Sequence, residues 1–423
     1  MKIIRAEEIG EKELLMRSMA KANVSAAVEA IIEEVRCGGD RAVLECTERF
    51  DHVRLSCLEV PRREIEEARK ALAPELLEAM ETAAENITRF HSHQVRQGFR
   101  LDLGDGVYMG QVITPIEKVG LYIPGGTAAY PSTVFMNAIP ARIAGCSEII
   151  MVSPPNRDGH IPAAILAAAE MAGVTRVFAM GGAQAIAALA MGTQSVPKVD
   201  KIVGPGNAFV AEAKRQVFGQ VAIDMIAGPS EILVIADGKS NPAWVAADLL
   251  SQAEHDRMAA AVLITDSKEL AQAVSDEVDR QLALLPRQEI ARASIENNGK
   301  IILTKDLKGA VETSNRLAPE HLELCVESPE TYLPMVKNAG SVFLGRCTPE
   351  SLGDYLAGPN HTLPTSGTAK FSSPLGVDDF IKKTQFTHYT QEALAGVADK
   401  IAAFARAEGL EAHARAALIR GQA

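Results

Sequence analysis

From Lys118 onward the chain repeats one pattern: a short continuous apolar run, a turn, then a stretch with apolar residues at helical spacing. Residues 119–123 end in Pro124-Gly125-Gly126, before a helix expected from about Ser132. Residues 148–152 precede a helix over 162–172, and residues 176–180 end in Gly181-Gly182 before a helix over 184–191. Residues 201–203 end in Gly204-Pro205-Gly206-Asn207 before a helix over 208–217. Continuous apolar strands alternating with helices form parallel sheets covered on both faces.

The pattern then restarts. Residues 231–235 lead to a helix that Asn241 can cap and Pro242 can open. Residues 261–264 lead to a helix over 268–285, residues 300–303 to one over 307–317, and residues 341–344 form the last strand. Upstream, residues 12–95 read as helical: 24–35 carries a helical apolar stripe that stops at Gly38-Gly39, and Pro61 and Pro74 open two more helices. Residues 355–368 are turn chemistry throughout, and charged and alanine-rich helices follow Val377. These patterns predict an α/β fold with two Rossmann-like parallel-sheet domains and additional helical N- and C-terminal segments. The expected division is 1–117 (mainly helical, packed on the catalytic body), 118–228, 229–376 and 377–423.

Composition narrows the function. A 423-residue chain with 47% hydrophobic residues can bury more than one core. A net charge of −11 argues against nucleic acid and modestly favours a cationic substrate. The first residues lack a signal-peptide pattern, and no run approaches the roughly 20 apolar residues that cross a bilayer. A cytoplasmic protein without membrane contact is expected. Six cysteines without C-x-x-C spacing read as reduced, structural thiols.

Candidate chemistry lies at turns and helix ends. Three glycine turns follow strands of the first sheet, where backbone can approach a phosphate. Gly204-x-Gly206 is similar to a dinucleotide fingerprint, but Phe209 holds its third glycine position. In the second half, Gln252 and His255 are three apart and share a helix face, so both can point at one metal ion. Alone, the pair reads equally as a helix C-terminus whose histidine offsets the dipole. Asp354 and His361 bracket the glycine- and proline-rich loop, and His413 lies on an alanine-rich helix. The metal candidates are therefore Gln252, His255, Asp354 and either His413 or His361. Glu320-His321 pairs a carboxylate with an imidazole, which suits general base work, and Ser230 precedes a strand. An NAD-linked alcohol oxidation fits this set. A zinc hydrolase is the rival, weakened by the absence of H-E-x-x-H, and a non-catalytic nucleotide-binding protein is a third reading.

Six segments in order carry a resemblance: Gly120-Leu121-Tyr122-Ile123-Pro124-Gly125-Gly126, Gly204-Pro205-Gly206-Asn207-Ala208-Phe209-Val210, Ala227-Gly228-Pro229-Ser230-Glu231, Asp248-Leu249-Leu250-Ser251-Gln252-Ala253-Glu254-His255, Pro319-Glu320-His321-Leu322 and Gly358-Pro359-Asn360-His361. Together they resemble the histidinol dehydrogenase family over nearly the whole chain. The resemblance implies NAD-dependent oxidation of L-histidinol to L-histidine through L-histidinaldehyde, in a homodimer with one Zn2+ per subunit. It implies Gln252, His255, Asp354 and a partner-derived His413 as zinc ligands, with the substrate's nitrogens filling the remaining positions. It implies Glu320 and His321 as catalytic residues. Ser230, His321, His361 and Glu408 would contact substrate along with the zinc ligands, with Glu408 and His413 reaching the neighbouring subunit. Tyr122, Gln184 and Asn207 would contact NAD, making 118–228 the dinucleotide unit and 229–376 the substrate and metal unit. The stretch 127–131 departs from the pattern and touches no matched residue. A related dehydrogenase acting on another small polar alcohol is the alternative.

Overall fold

The computed structural model describes residues 1–10, 14, 24–125 and 130–421. Most of the expected helical stretch before Val24, Gly126 of the first glycine turn and the variable residues 127–129 lie outside the described residues. A five-stranded parallel sheet runs β6-β5-β4-β7-β8, from β4 (Lys118–Tyr122), β5 (Glu148–Ser153), β6 (Arg176–Ala179), β7 (Lys201–Val203) and β8 (Ala222–Ile223). A six-stranded parallel sheet runs β1-β11-β10-β9-β12-β13. Its strands are β1 (Lys2–Arg5), β9 (Glu231–Ala236), β10 (Ala260–Thr265), β11 (Lys300–Leu303), β12 (His321–Cys325) and β13 (Ser341–Leu344). Apart from β1 on its edge, the second sheet repeats the strand order of the first. The α/β class with two Rossmann-like sheets is as expected.

Alternation along the strands explains the two-sided burial. In β4, Val119 and Leu121 face helices Pro131–Ala144 and Ala163–Ala172, while Tyr122 faces helices Ser25–Gly38, Gly182–Met191 and Ala208–Val217. Gly120 is glycine because an added Cβ would lie 2.9 Å from Leu189 of the helix covering it. In β9, Ile232 and Val234 face helices Pro242–Ala253 and Lys268–Leu282, while Leu233 and Ile235 face helix Leu307–Leu317.

The structure corrects the sequence reading in several places. His321 opens a buried strand, β12, that the apolar pattern does not reveal because Glu323 sits fully buried in its middle. The segment 1–117 contributes β1 to the second sheet, and β2 (Phe99–Gly104) and β3 (Val107–Pro115) form an antiparallel sheet with β14 (Ile381–His388). The C-terminal tail thus opens with a 3₁₀ turn (Val377–Phe380) and a strand before its helices. Strands β2 and β14 are mostly exposed, so they lack the apolar signature of a buried strand. Helix Gln288–Asn298 was also not anticipated.

Candidate active site

Helix Pro242–Ala253 follows β9 and runs back along the sheet, so its C-terminal end arrives where β9 and β12 begin. Asn241 caps its start by accepting from Ala243 N at 2.9 Å. Its end delivers Gln252 to the edge of the sheet at which β12 presents His321. His321 is 4% exposed. Its Nδ1 lies 3.0 Å from the Glu231 carbonyl, which can only accept, so Nδ1 carries the ring proton and Nε2 is bare. Gln252 Nε2 packs 3.1 Å from the same Nδ1. Burial lowers the imidazole pKa to about 4, so His321 is neutral at physiological pH.

Three carboxyl groups surround this ring. Glu320 Oε2 accepts from Glu231 N at 2.8 Å, yet full burial, followed by the charges of Glu231, Asp354 and Glu350, raises its pKa well above the usual range. Glu350 is 2% exposed, with Oε1 3.8 Å from His321 Nε2 and Oε2 accepting from Ser251 Oγ at 3.1 Å. Burial, then the Asp354 charge, raises its pKa to about 8. Asp354 Oδ1 lies 3.9 Å from His321 Nε2 and 3.7 Å from His361 Nδ1, and burial raises its pKa to about 6. The short helix carrying both acids, Glu350–Tyr355, is anchored where Glu350 N donates to Glu323 Oε1 at 2.7 Å. The buried glutamate that disguises β12 therefore fixes the far wall of the site.

His361 Nδ1 lies 3.1 Å from the Asp354 carbonyl, and its Nε2 is 3.4 Å from Thr133 Oγ1 of helix Pro131–Ala144. Neighbouring Asn360 donates to the Met136 carbonyl at 2.6 Å, tying the long loop to the first sheet's helices. Burial lowers the His361 pKa to about 4. A cavity of about 350 Å³ is lined by His321, Phe343, Asp354, Asn360 and His361. His255 is exposed just beyond the helix end, near enough for its charge to depress both His321 and His361. Ser230 is half-buried immediately before β9.

Gln252 Oε1, His321 Nε2 and Glu350 Oε1 are all buried without a hydrogen-bond partner. Leaving such atoms unpaired costs about 1–3 kcal/mol each, so their convergence marks a place built for a bound group. Ligand atoms of His321, Glu350 and Asp354 lie within 4.8 Å of one another. An amide oxygen, imidazoles and carboxylates are a donor set that a zinc ion accepts. The residues fit the metal.

At the other sheet, Tyr122, Gln184 and Asn207 line one cavity of about 770 Å³ beside Gly125 and Gly182. Tyr122 Oη accepts from Gly182 N at 3.1 Å, and burial pushes its pKa up to about 12. Asn207 Oδ1 caps helix Ala208–Val217, accepting from Phe209 N at 3.0 Å and Val210 N at 3.2 Å. Gly204 adopts φ +114°, and a Cβ there would sit 2.2 Å from the Tyr122 carbonyl, so glycine is required by close strand approach. Gln184 Nε2 is buried without a partner. A cavity of this size at strand ends, with glycine turns and an unpaired Gln184 amide nitrogen, fits a dinucleotide.

The structure brings Gln252, Glu320, His321, Asp354 and His361 together, with Ser230 and His255 at the margin. Glu408 and His413 lie exposed on the C-terminal helices and make no hydrogen bond or ion pair with these residues in the single chain. Glu231 and Glu350 escape the sequence reading. Glu231 had a signal, a charge opening an otherwise apolar strand; Glu350 had none, since an acid after a proline is ordinary helix-start chemistry.

The chain matches the histidinol dehydrogenase family over residues 15–421. It is 53% identical to a histidinol dehydrogenase of Listeria monocytogenes serotype 4b (strain F2365) over 414 residues, covering 98% of this chain and 97% of that one. It is 55% identical over 394 residues to a histidinol dehydrogenase of Geobacillus kaustophilus, covering 93% of each. The crystal structure of histidinol dehydrogenase from Elizabethkingia anophelis superposes with a TM-score of 0.95 at 40% identity, covering 99% of this chain and 98% of that one. The chain with this buried imidazole and acid cluster belongs to the histidinol dehydrogenase family.

Proposed function

We propose that the protein catalyses the NAD-dependent oxidation of L-histidinol to L-histidine through L-histidinaldehyde, the last steps of histidine biosynthesis. The observation that carries the reading is a neutral, buried His321 whose bare Nε2 faces the pocket beside the unpaired Gln252 Oε1. In this reading Gln252, His255 and Asp354 hold one Zn2+ per subunit, and His413 of the partner subunit completes the set. A zinc ion held there would supply a template for orienting a substrate that carries amino and imidazole nitrogens. NAD, held by Tyr122, Gln184 and Asn207, supplies the hydride acceptor for each of two oxidations. Residues 118–228 act as the dinucleotide unit and 229–376 as the substrate unit.

His321 Nε2 takes the proton of the carbinol hydroxyl as hydride leaves the carbon that bears it, giving the aldehyde. Glu320 sits on the adjoining backbone position, and burial raises its pKa, so that once ionised its carboxylate is a strong base. It removes a proton from the water that adds to the aldehyde. His321, having passed its first proton to solvent, then takes a proton from a hydrate hydroxyl as the second hydride departs. Ser230 and His361 bind substrate around this centre, as does Glu408 of the partner subunit.

A homodimer is supported by the C-terminal helices, which pack chiefly on one another through Ala402, Ala405 and Ala414 and leave Phe404 73% and Ile419 67% exposed. A cytoplasmic setting is supported by six free cysteines. Among the described residues no helix is long and apolar enough to cross a membrane.

The test is NADH production from L-histidinol with and without chelator. Two NADH per histidine, lost with chelator and restored by zinc, is expected. A stoichiometry of one, or turnover only of another small polar alcohol, overturns the assignment. Mixing inactive Asp354→Ala and His413→Ala subunits tests the shared site: recovery of partial activity is expected, and none places the whole site within one chain.

A further inference from the structure

Asp51 ends helix Asp40–Asp51, where helix polarity and burial both disfavour a carboxylate. The C-terminal end of a helix carries partial negative charge. Oδ2 is buried and has no hydrogen-bond partner. Burial raises the pKa, opposed by the charge of His52. An acid retained in such a position points to a ligand that satisfies it.

The ligand is indicated by where Asp51 stands. It lines the cavity of about 770 Å³ that also holds Tyr122, Gln184 and Asn207, and it is close enough to Tyr122 for its charge to raise the phenol pKa. Among the described residues lining that cavity, Asp51 is the one carboxylate and Arg157 the one cation. Many dinucleotide-binding sheets place an acid near the end of the second strand, where it takes ribose hydroxyls. Here the second strand, β5, runs out into Ser153-Pro154-Pro155-Asn156, with no acid at its tip. Asp51 brings a carboxylate to the same cavity from a helix outside the sheet.

We propose that Asp51 binds the hydroxyls of a dinucleotide ribose and excludes a ribose 2′-phosphate, so that it sets the preference for NAD over NADP. This rests on the dinucleotide reading of the cavity. Vicinal hydroxyls offer two donors to a carboxylate that has none. A 2′-phosphate removes one donor and brings negative charge against the acid, whereas Arg157 alone would welcome it.

The experiment compares the parent, Asp51→Asn and Asp51→Ala as full-length, zinc-loaded protein in steady-state kinetics with histidinol and either NAD or NADP. The parent is expected to prefer NAD strongly. In both variants KM for NAD should rise about tenfold and the NAD-over-NADP ratio of kcat/KM should shrink at least about tenfold. KM for histidinol should stay. The dinucleotide-free variants should melt no lower than the parent, because an unpaired acid at a helix C-terminus has been removed. Unchanged KM for NAD and an unchanged ratio in both variants overturn the inference and leave the proposed function standing. A lower melting temperature with equal losses for NAD and histidinol also overturns it, showing a structural role. A parent that makes no NADH from histidinol overturns both.

Discussion

The two parallel sheets share a strand order but are used at opposite edges. In the first, the dinucleotide candidates lie where strands end: Tyr122 closes β4, Gly181-Gly182 follow β6 and Asn207 follows β7. This is the usual place for a ligand in an open α/β sheet. In the second, the reactive residues lie where strands begin: Glu231 opens β9 and His321 opens β12. Topology alone therefore does not choose the working edge. Glycine turns favour the end of a strand, where a following helix offers N–H groups to phosphate. A returning helix favours the start, because Gln252 rides at its C-terminal end and needs only a facing imidazole.

The difference also divides the expected phenotypes. His321→Ala should lower kcat about a thousandfold while NAD binding and zinc content persist, measured by turnover, NAD titration and metal analysis. Loss of zinc in that variant would break the separation between base and ligand. Gln252→Ala and His255→Ala should weaken zinc affinity about a hundredfold, with NAD binding intact. If zinc content stays at parental levels in both, the metal set has been placed on the wrong residues. Gln184→Ala, at the other sheet, should raise KM for NAD about tenfold and leave zinc unaltered. An effect on zinc there would show that the two edges are not independent.

The smallest effect concerns stability. Glu350 has a folded pKa of about 8, above its ordinary value of 4.5. The stability tied to its bound proton is full below about 4.5 and is lost as pH rises through about 8. Metal-free protein should melt a few degrees lower at pH 8.5 than at pH 6, and Glu350→Gln should reduce that slope. His321 and His361 act in the other direction, being depressed to about 4: their contribution is full above about 6.5 and is lost as pH falls toward 4. A slope of the opposite sign between pH 6 and 8.5 would mean that Glu350 is not the proton holder.

What could be read from the chain follows the same divide. Four strands of the first sheet are continuous apolar runs, three of them closed by a glycine turn, and each forms a strand in the structure; the two-residue β8 (Ala222–Ile223) is too short to leave such a run. The second sheet hides β12 because His321 and Glu323 interrupt the apolar pattern, and those interruptions are part of the site. Gln252 and Asp354 were legible as polar residues at turns and helix ends. Their meeting with His321 was not, since 69 residues separate Gln252 from His321 and only sheet pairing brings them within reach. Glu350 acquires significance solely from that meeting. Glu408 was placed by family resemblance alone, and His413 stood as one of two open metal candidates until the resemblance chose it, since nothing in their own helices marks them.

The exposed C-terminal helices carry one more consequence. If the metal set draws its fourth member from residue 413 of a second copy, the active site is complete only once two chains have met. A chain without a mate would then have both folded sheets but an incomplete metal set. Catalysis then reports that two chains are paired, and specific activity should fall when the protein is diluted below the dissociation constant of the pair.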